Sequence, residues 1–222
     1  MTTIPLEFRN GHLFIDLSGR RWLLDTGAPE SFGEGGGIEV AGKNLDLTTN
    51  HLGFDARALS SCVGVACAGL IGADILGHFD HIIDVSGGKL TMSRGHLSHD
   101  GLLVPLSKFM GIPILTVKLD AIEFRMFFDT GAQISYLQDE ATDRYPHAGY
   151  VSDFYPGFGQ FQTETREIPF LISNQNFLVR CGRLPTLLGM TLSMAKVQGI
   201  LGNAIMADRV IGYFPRRNML TI

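Results

Sequence analysis

The sequence predicts an all-β protein made of two similar halves with a few short helices. Three observations carry that reading. Alternating apolar and polar runs bounded by Gly, Asn and Asp recur along the chain. Long amphipathic helical patterns are absent. A strand-turn-strand unit ending in Asp-Thr-Gly-Ala occurs twice, at Asp25 and at Asp129.

The elements follow in order. "GHLFIDLSGRRWLLDTG" reads as strand, turn and strand, with Asp25 at the strand end. "FGEGGGIEVAG" reads as a flexible connection, because it lacks the Gly-Lys-Ser/Thr ending of a phosphate loop. "TTNHLGFDARAL" carries a weak hairpin signature around Gly53-Phe54, and "SSCVGVACAGL" reads as a small-residue buried segment. "ADILGHF" is a short helix candidate, followed by a final strand. The seam falls near Arg94 to Gly101, where His, Ser, Gly and Asp interrupt the apolar pattern, dividing the chain into 1–98 and 99–222.

The second half repeats the plan. "PILTVKLDAIEFRMFFDTG" delivers Asp129 at a strand end, and "QDEATDRY" and "NAIMADRV" are short helix candidates. "DFYPGFGQFQTE" reads as a hairpin tip, with Gly157, Phe158 and Gly159 flanked by aromatics and Tyr155 just before them. Both halves close on a block that aligns without a gap, from Gly69 and from Gly199. The second half is longer between its aspartate and that block, which predicts a longer flap or an added hairpin there.

At 222 residues the chain can bury a substantial core. No apolar run approaches the length of a membrane span, and the first residues lack a basic-then-apolar leader, so the expectation is a cytoplasmic, non-membrane protein. A net charge of -4 argues against nucleic acid as partner; the nearest basic cluster is Arg216-Arg217. Cys62, Cys67 and Cys181 form no disulfide framework and are expected to be reduced structural thiols.

Paired aspartates in small-residue turns point to chemistry. One Asp-Thr-Gly is an ordinary turn, but two with the same preceding strand, following Ala and downstream Gly-rich block are not. Two carboxylates within hydrogen-bond reach cannot both ionise and share one proton. One then takes a proton from a water between them while the other protonates a carbonyl oxygen. Gly27 and Gly131 permit the sharp turn, and Thr26 and Thr130 are suited to hydrogen bonds across the interface of the halves. Ala28 and Ala132 offer no hydroxyl to favour ionisation, which predicts a working pH nearer weak than strong acid.

At these motifs the sequence resembles the aspartic proteases of the pepsin and retropepsin clan. Asp25-Thr26-Gly27 pairs with Leu70-Ile71-Gly72, and Asp129-Thr130-Gly131 with Ile200-Leu201-Gly202, the loop and the hydrophobic-hydrophobic-Gly segment of each lobe. The resemblance implies two pseudo-symmetric retropepsin-like β-barrel lobes with the active-site cleft between them, in a monomer. It further implies an aspartic endopeptidase, with Asp25 and Asp129 as the dyad and no cofactor. The substrate is then a polypeptide bound as an extended strand under a flap to which Tyr155, Gly157, Phe158 and Gly159 belong. A peptide- or protein-binding module on the same fold without cleavage is the alternative.

Metal chemistry lacks support. His78 and His81 would share one side of a short helix, with His96 and His99 nearby, but no H-E-x-x-H or complete tetrahedral set occurs. They are expected to be exposed helix and linker histidines. Nothing in the residues flanking the three cysteines marks a nucleophile.

Overall fold

A computed structural model describes residues 1–51, 53–155 and 158–222. The chain is mostly strand with short helices, as its alternating patterns predict. Two large sheets dominate. One runs in the order Leu103–Pro105, Met219–Thr221, Val210–Phe214, Asp80–Asp84, Lys89–Ser93, Thr2–Arg9, His12–Leu17, Arg20–Leu24, Gly69–Ile71, Phe32–Gly33. The other runs Ser107–Phe109, Ile112–Leu119, Ile122–Phe128, Gly199–Leu201, Ser135–Leu137, Gln175–Gly182, Gly159–Ile172, His147–Tyr155.

The first sheet crosses the seam. Asp80–Asp84 pairs antiparallel with Val210–Phe214, so the ends of the two halves are hydrogen-bonded strands of one layer. The largest core cluster follows it across, bringing Trp22, Phe79 and Ile83 together with Phe128, Phe170 and Tyr213. Asp80, fully buried, ties the same junction. It accepts from Arg216 at 2.8 Å, from Arg217 at 2.6 Å and from the Leu97 amide at 3.0 Å. Burial pushes the Asp80 carboxyl up, but these donors outweigh it and hold it below the usual carboxylate range. The two arginines are thus an internal clamp and not a basic surface for a polyanion.

Each aspartate strand is placed by one parallel pairing. Arg20–Leu24 lies beside Gly69–Ile71, and Ile122–Phe128 beside Gly199–Leu201. The Asp25 amide donates to Ile71 O and the Asp129 amide to Leu201 O, each at 3.0 Å. The hydrophobic-hydrophobic-Gly segment is therefore what fixes each aspartate at its strand end.

Several readings need correction. "FGEGGGIEVAG" is not a mere connection: Gly37–Val40 pairs with Lys43–Asp46, because Ile38 and Val40 alternate into the core while Gly35 and Gly36 supply the preceding turn at positive φ. "SSCVGVACAGL" is partly the end of a helix, Ala56–Val63, and Cys62 and Cys67 are only half-buried. That helix had readable signals: Asp55 caps it by accepting from the Ala58 amide at 2.8 Å, and Gly64 ends it in the left-handed conformation. A second helix, Thr186–Met194, also escaped the pattern. His81 lies on a strand and not on a helix. The helix stops at Leu76, and the imidazole is buried, donating from Nε2 to Leu76 O at 2.8 Å, with burial pushing its pKa down to about 4. The cysteines are free, and among the described residues no His, Cys, Asp and Glu cluster has metal-site geometry. No helix among them is long and apolar enough to cross a membrane.

Candidate active site

The two Asp-Thr-Gly-Ala turns meet face to face although they lie about a hundred residues apart. Each threonine hydroxyl accepts the other threonine's backbone amide, Thr130 N to Thr26 Oγ1 and Thr26 N to Thr130 Oγ1, both at 3.0 Å. Each hydroxyl also donates across the interface, Thr26 to Phe128 O at 2.7 Å and Thr130 to Leu24 O at 2.8 Å. Both threonines are buried, so these four bonds satisfy groups that water cannot reach. They hold the two turns in one register.

Within each turn the carboxylate is held by its own backbone. Asp25 Oδ1 accepts from Gly27 N at 2.8 Å and Ala28 N at 3.0 Å; Asp129 Oδ1 accepts from Gly131 N at 2.9 Å and Ala132 N at 3.1 Å. The glycines are needed for contact across the interface. A Cβ on Gly27 would overlap the Asp129 carboxylate, and one on Gly131 would come within 2.5 Å of the Asp25 carboxyl carbon. Further support repeats in the two halves. Ser31 Oγ accepts from Gly72 N at 2.8 Å, Ser135 Oγ from Gly202 N at 3.1 Å.

Each carboxylate lies against the glycine of the opposite turn, and that closeness decides their electrostatics. Burial pushes both above the usual carboxylate range, Asp129 well above it, and the negative charge of Asp25 adds to the effect on Asp129. The backbone amides oppose burial and let one charge exist. Two carboxyls so placed titrate as a pair and not independently.

The dyad forms the floor of an open cleft of about 1020 Å³, counting the space open to solvent. Leu23, Phe32, Leu59 and Leu70 form the first-half wall, and Phe161, Leu184 and Ile200 part of the other. The strands His147–Tyr155 and Gly159–Ile172 form a long hairpin that brings Phe154 and Tyr155 to this cleft. Burial and the negative dyad push the Tyr155 phenol pKa up. Among the described residues, the matching first-half hairpin is Asn50–His51 paired with Phe54–Asp55. Phe54 stacks on Phe154, centroids 5.8 Å apart, so the two hairpins touch across the cleft.

Other expected hairpin residues fare differently. Phe158 does not line the cleft; its ring packs edge-on against Phe161 at 6.2 Å. Gly159 begins the returning strand at positive φ, and Gly157 lies outside the described residues. Sequence reasoning missed His12, Tyr136 and Asp153, which all line the cleft. The Tyr136 hydroxyl donates to Asp153, and burial together with that carboxylate raises its pKa. Only the alternation of "HAGYVSDFY", which sends Asp153 and Tyr155 to one side of the strand, could have pointed to Asp153.

No protein-family model matches the chain, and no curated protein sequence does.

Proposed function

We propose that the protein is an aspartic endopeptidase with two retropepsin-like lobes, one aspartate from each, acting as a single chain. One observation carries the reading: Asp25 and Asp129 line one apolar cleft, each packed against the glycine of the other's turn and oriented by two amides of its own. The ionised aspartate takes a proton from a water between the carboxyls. The protonated one gives its proton to the scissile carbonyl oxygen, and a tetrahedral diol forms without a covalent enzyme intermediate. Collapse of the diol with proton transfer to the leaving amine completes hydrolysis. The apolar walls favour an extended polypeptide with apolar side chains near the cut.

The test is cleavage of a peptide library by the wild type, Asp25→Asn and Asp129→Asn, from about pH 3 to about pH 7, with new termini read by mass spectrometry. Activity in the wild type that falls at least about 100-fold in both variants supports the reading. Folded wild type that cuts nothing at any pH, but retains peptides in the cleft, would favour a binding module instead.

A further inference from the structure

Beyond the dyad, we propose that His12 is a positioning residue that holds the Asp129 turn in its working geometry through the Gly131 carbonyl. The inference rests on the reading of Asp25 and Asp129 as a proton-sharing pair. His12 is buried, and its Nδ1 lies 3.0 Å from Gly131 O. That carbonyl belongs to the same peptide group as the Ala132 N–H, which donates to Asp129 Oδ1 at 3.1 Å. A donor on the carbonyl fixes the peptide plane and polarises its N–H toward the carboxylate.

The neighbours settle which nitrogen carries the proton. Gln133 Nε2 lies 2.9 Å from Asn10 O and 2.7 Å from His12 Nε2. A side-chain oxygen at that position would face the Asn10 carbonyl, so the amide nitrogen sits there and donates to both. His12 Nε2 is then an acceptor, and Nδ1–H donates to Gly131 O. Burial lowers the pKa of His12, in keeping with a neutral ring; the bond to the Gly131 carbonyl and the charge of Asp153 act the other way. Asn203 Nδ2 reinforces the brace, donating to Gly11 O at 2.8 Å and Thr130 O at 3.2 Å. The turn Asn10-Gly11 is thus tied to the Asp129 loop directly through Gln133 and by way of Asn203.

Among the described residues the first aspartate has no such brace. Met110-Gly111 forms a turn of matching positive-φ conformation before the strand Ile112–Leu119, yet Ile112 stands where His12 does and Ala73 where Asn203 does. Gly111 meets only the Ala73 methyl, its Cβ position 3.5 Å away. The brace is therefore one-sided, which bulk packing of a repeated fold does not explain.

The experiment follows the carboxyl-13C resonances of the aspartates through a pH titration of the wild type, His12→Phe and His12→Asn. The Asn side chain can place an N–H where Nδ1 stood; Phe cannot. The dyad's titration is expected to move up by about half a pH unit in His12→Phe, because a weaker Ala132 N–H stabilises the carboxylate less, and to return in His12→Asn. An unchanged titration in folded His12→Phe overturns the proposal. Nitrogen-15 shifts of wild-type His12 give a check that needs no variant: a bare Nε2 and a protonated Nδ1 support it, the opposite tautomer overturns it. Where peptides are cut, His12→Phe should lower kcat several-fold with KM held. Where none are cut, the endopeptidase reading fails while the titration still decides the role of His12.

Discussion

The two aspartate turns are the same sequence, Asp-Thr-Gly-Ala, set in different surroundings. Their inner bonds repeat almost atom for atom: two amides on each carboxylate, a reciprocal threonine pair, a serine under each glycine. Their outer contacts do not repeat. The Asp129 turn is braced by His12, Gln133 and Asn203, while the positions that correspond around Asp25 are occupied by Ile112, Pro29 and Ala73. The hairpins differ likewise, His147–Tyr155 with Gly159–Ile172 in the second half against Asn50–His51 with Phe54–Asp55 in the first. What must be symmetric is the geometry of two carboxylates sharing a proton; what surrounds them is free to diverge.

The strongest way to break the symmetric part is to fill a glycine. Gly27→Ala or Gly131→Ala puts a methyl into the opposite carboxylate and should drive the pair apart. The overlap should cost about 1–3 kcal/mol or more. Misplacement on the order of 1 Å should cut the rate at least about 100-fold. Calorimetry and peptide cleavage measured together check this, and a variant of wild-type activity would contradict the face-to-face arrangement.

The threonine pair gives the next largest effect. Thr26→Val or Thr130→Val keeps the shape but leaves one buried amide and one buried carbonyl unpaired across the interface. Each unpaired group costs about 1–3 kcal/mol. The two variants should lose nearly equal stability in urea unfolding, since each hydroxyl makes the same two bonds. A large inequality would show that the outer asymmetry reaches the inner core.

The shared proton makes stability depend on pH. Both carboxyls are raised on folding, so their contribution is complete below the ordinary carboxylate range and is lost as pH rises through the folded values. Asp25→Asn and Asp129→Asn each remove the like-charge penalty, so both should melt higher than wild type near neutral pH and lose that advantage in acid. Each unit of displacement is worth about 1.4 kcal/mol, or about 3–5 °C in Tm for a chain of this size. The difference between the two gains measures how far the unequal surroundings of the two turns set the lone carboxyls apart, and an advantage that persists in acid would contradict the shared-charge account.

The smallest effect tests the hairpin contact. A double-mutant cycle of Phe54→Leu and Phe154→Leu should give a coupling of about 0.5–1.5 kcal/mol from the stacked rings. Additive losses would mean that the two hairpins do not support each other across the cleft.

The sequence by itself determined the repeated turns, the strand that leads into each aspartate and the hydrophobic-hydrophobic-Gly segments, because these depend on local alternation and turn chemistry. The long second-half hairpin was legible for the same reason, in the extra length after Asp129. The helix Ala56–Val63 was encoded locally as well, in Asp55 and Gly64, but its small residues masked the apolar stripe. Only the tertiary structure decided the rest. The sheet that joins Asp80–Asp84 to Val210–Phe214, the burial of His81 and the reach of His12 to Gly131 all bring together residues far apart in the chain. No periodicity records such distances. They are set by how two sheets pack and which buried donors find acceptors, and that is why a lone histidine after an Asn-Gly turn reads as nothing until the second turn is folded against it.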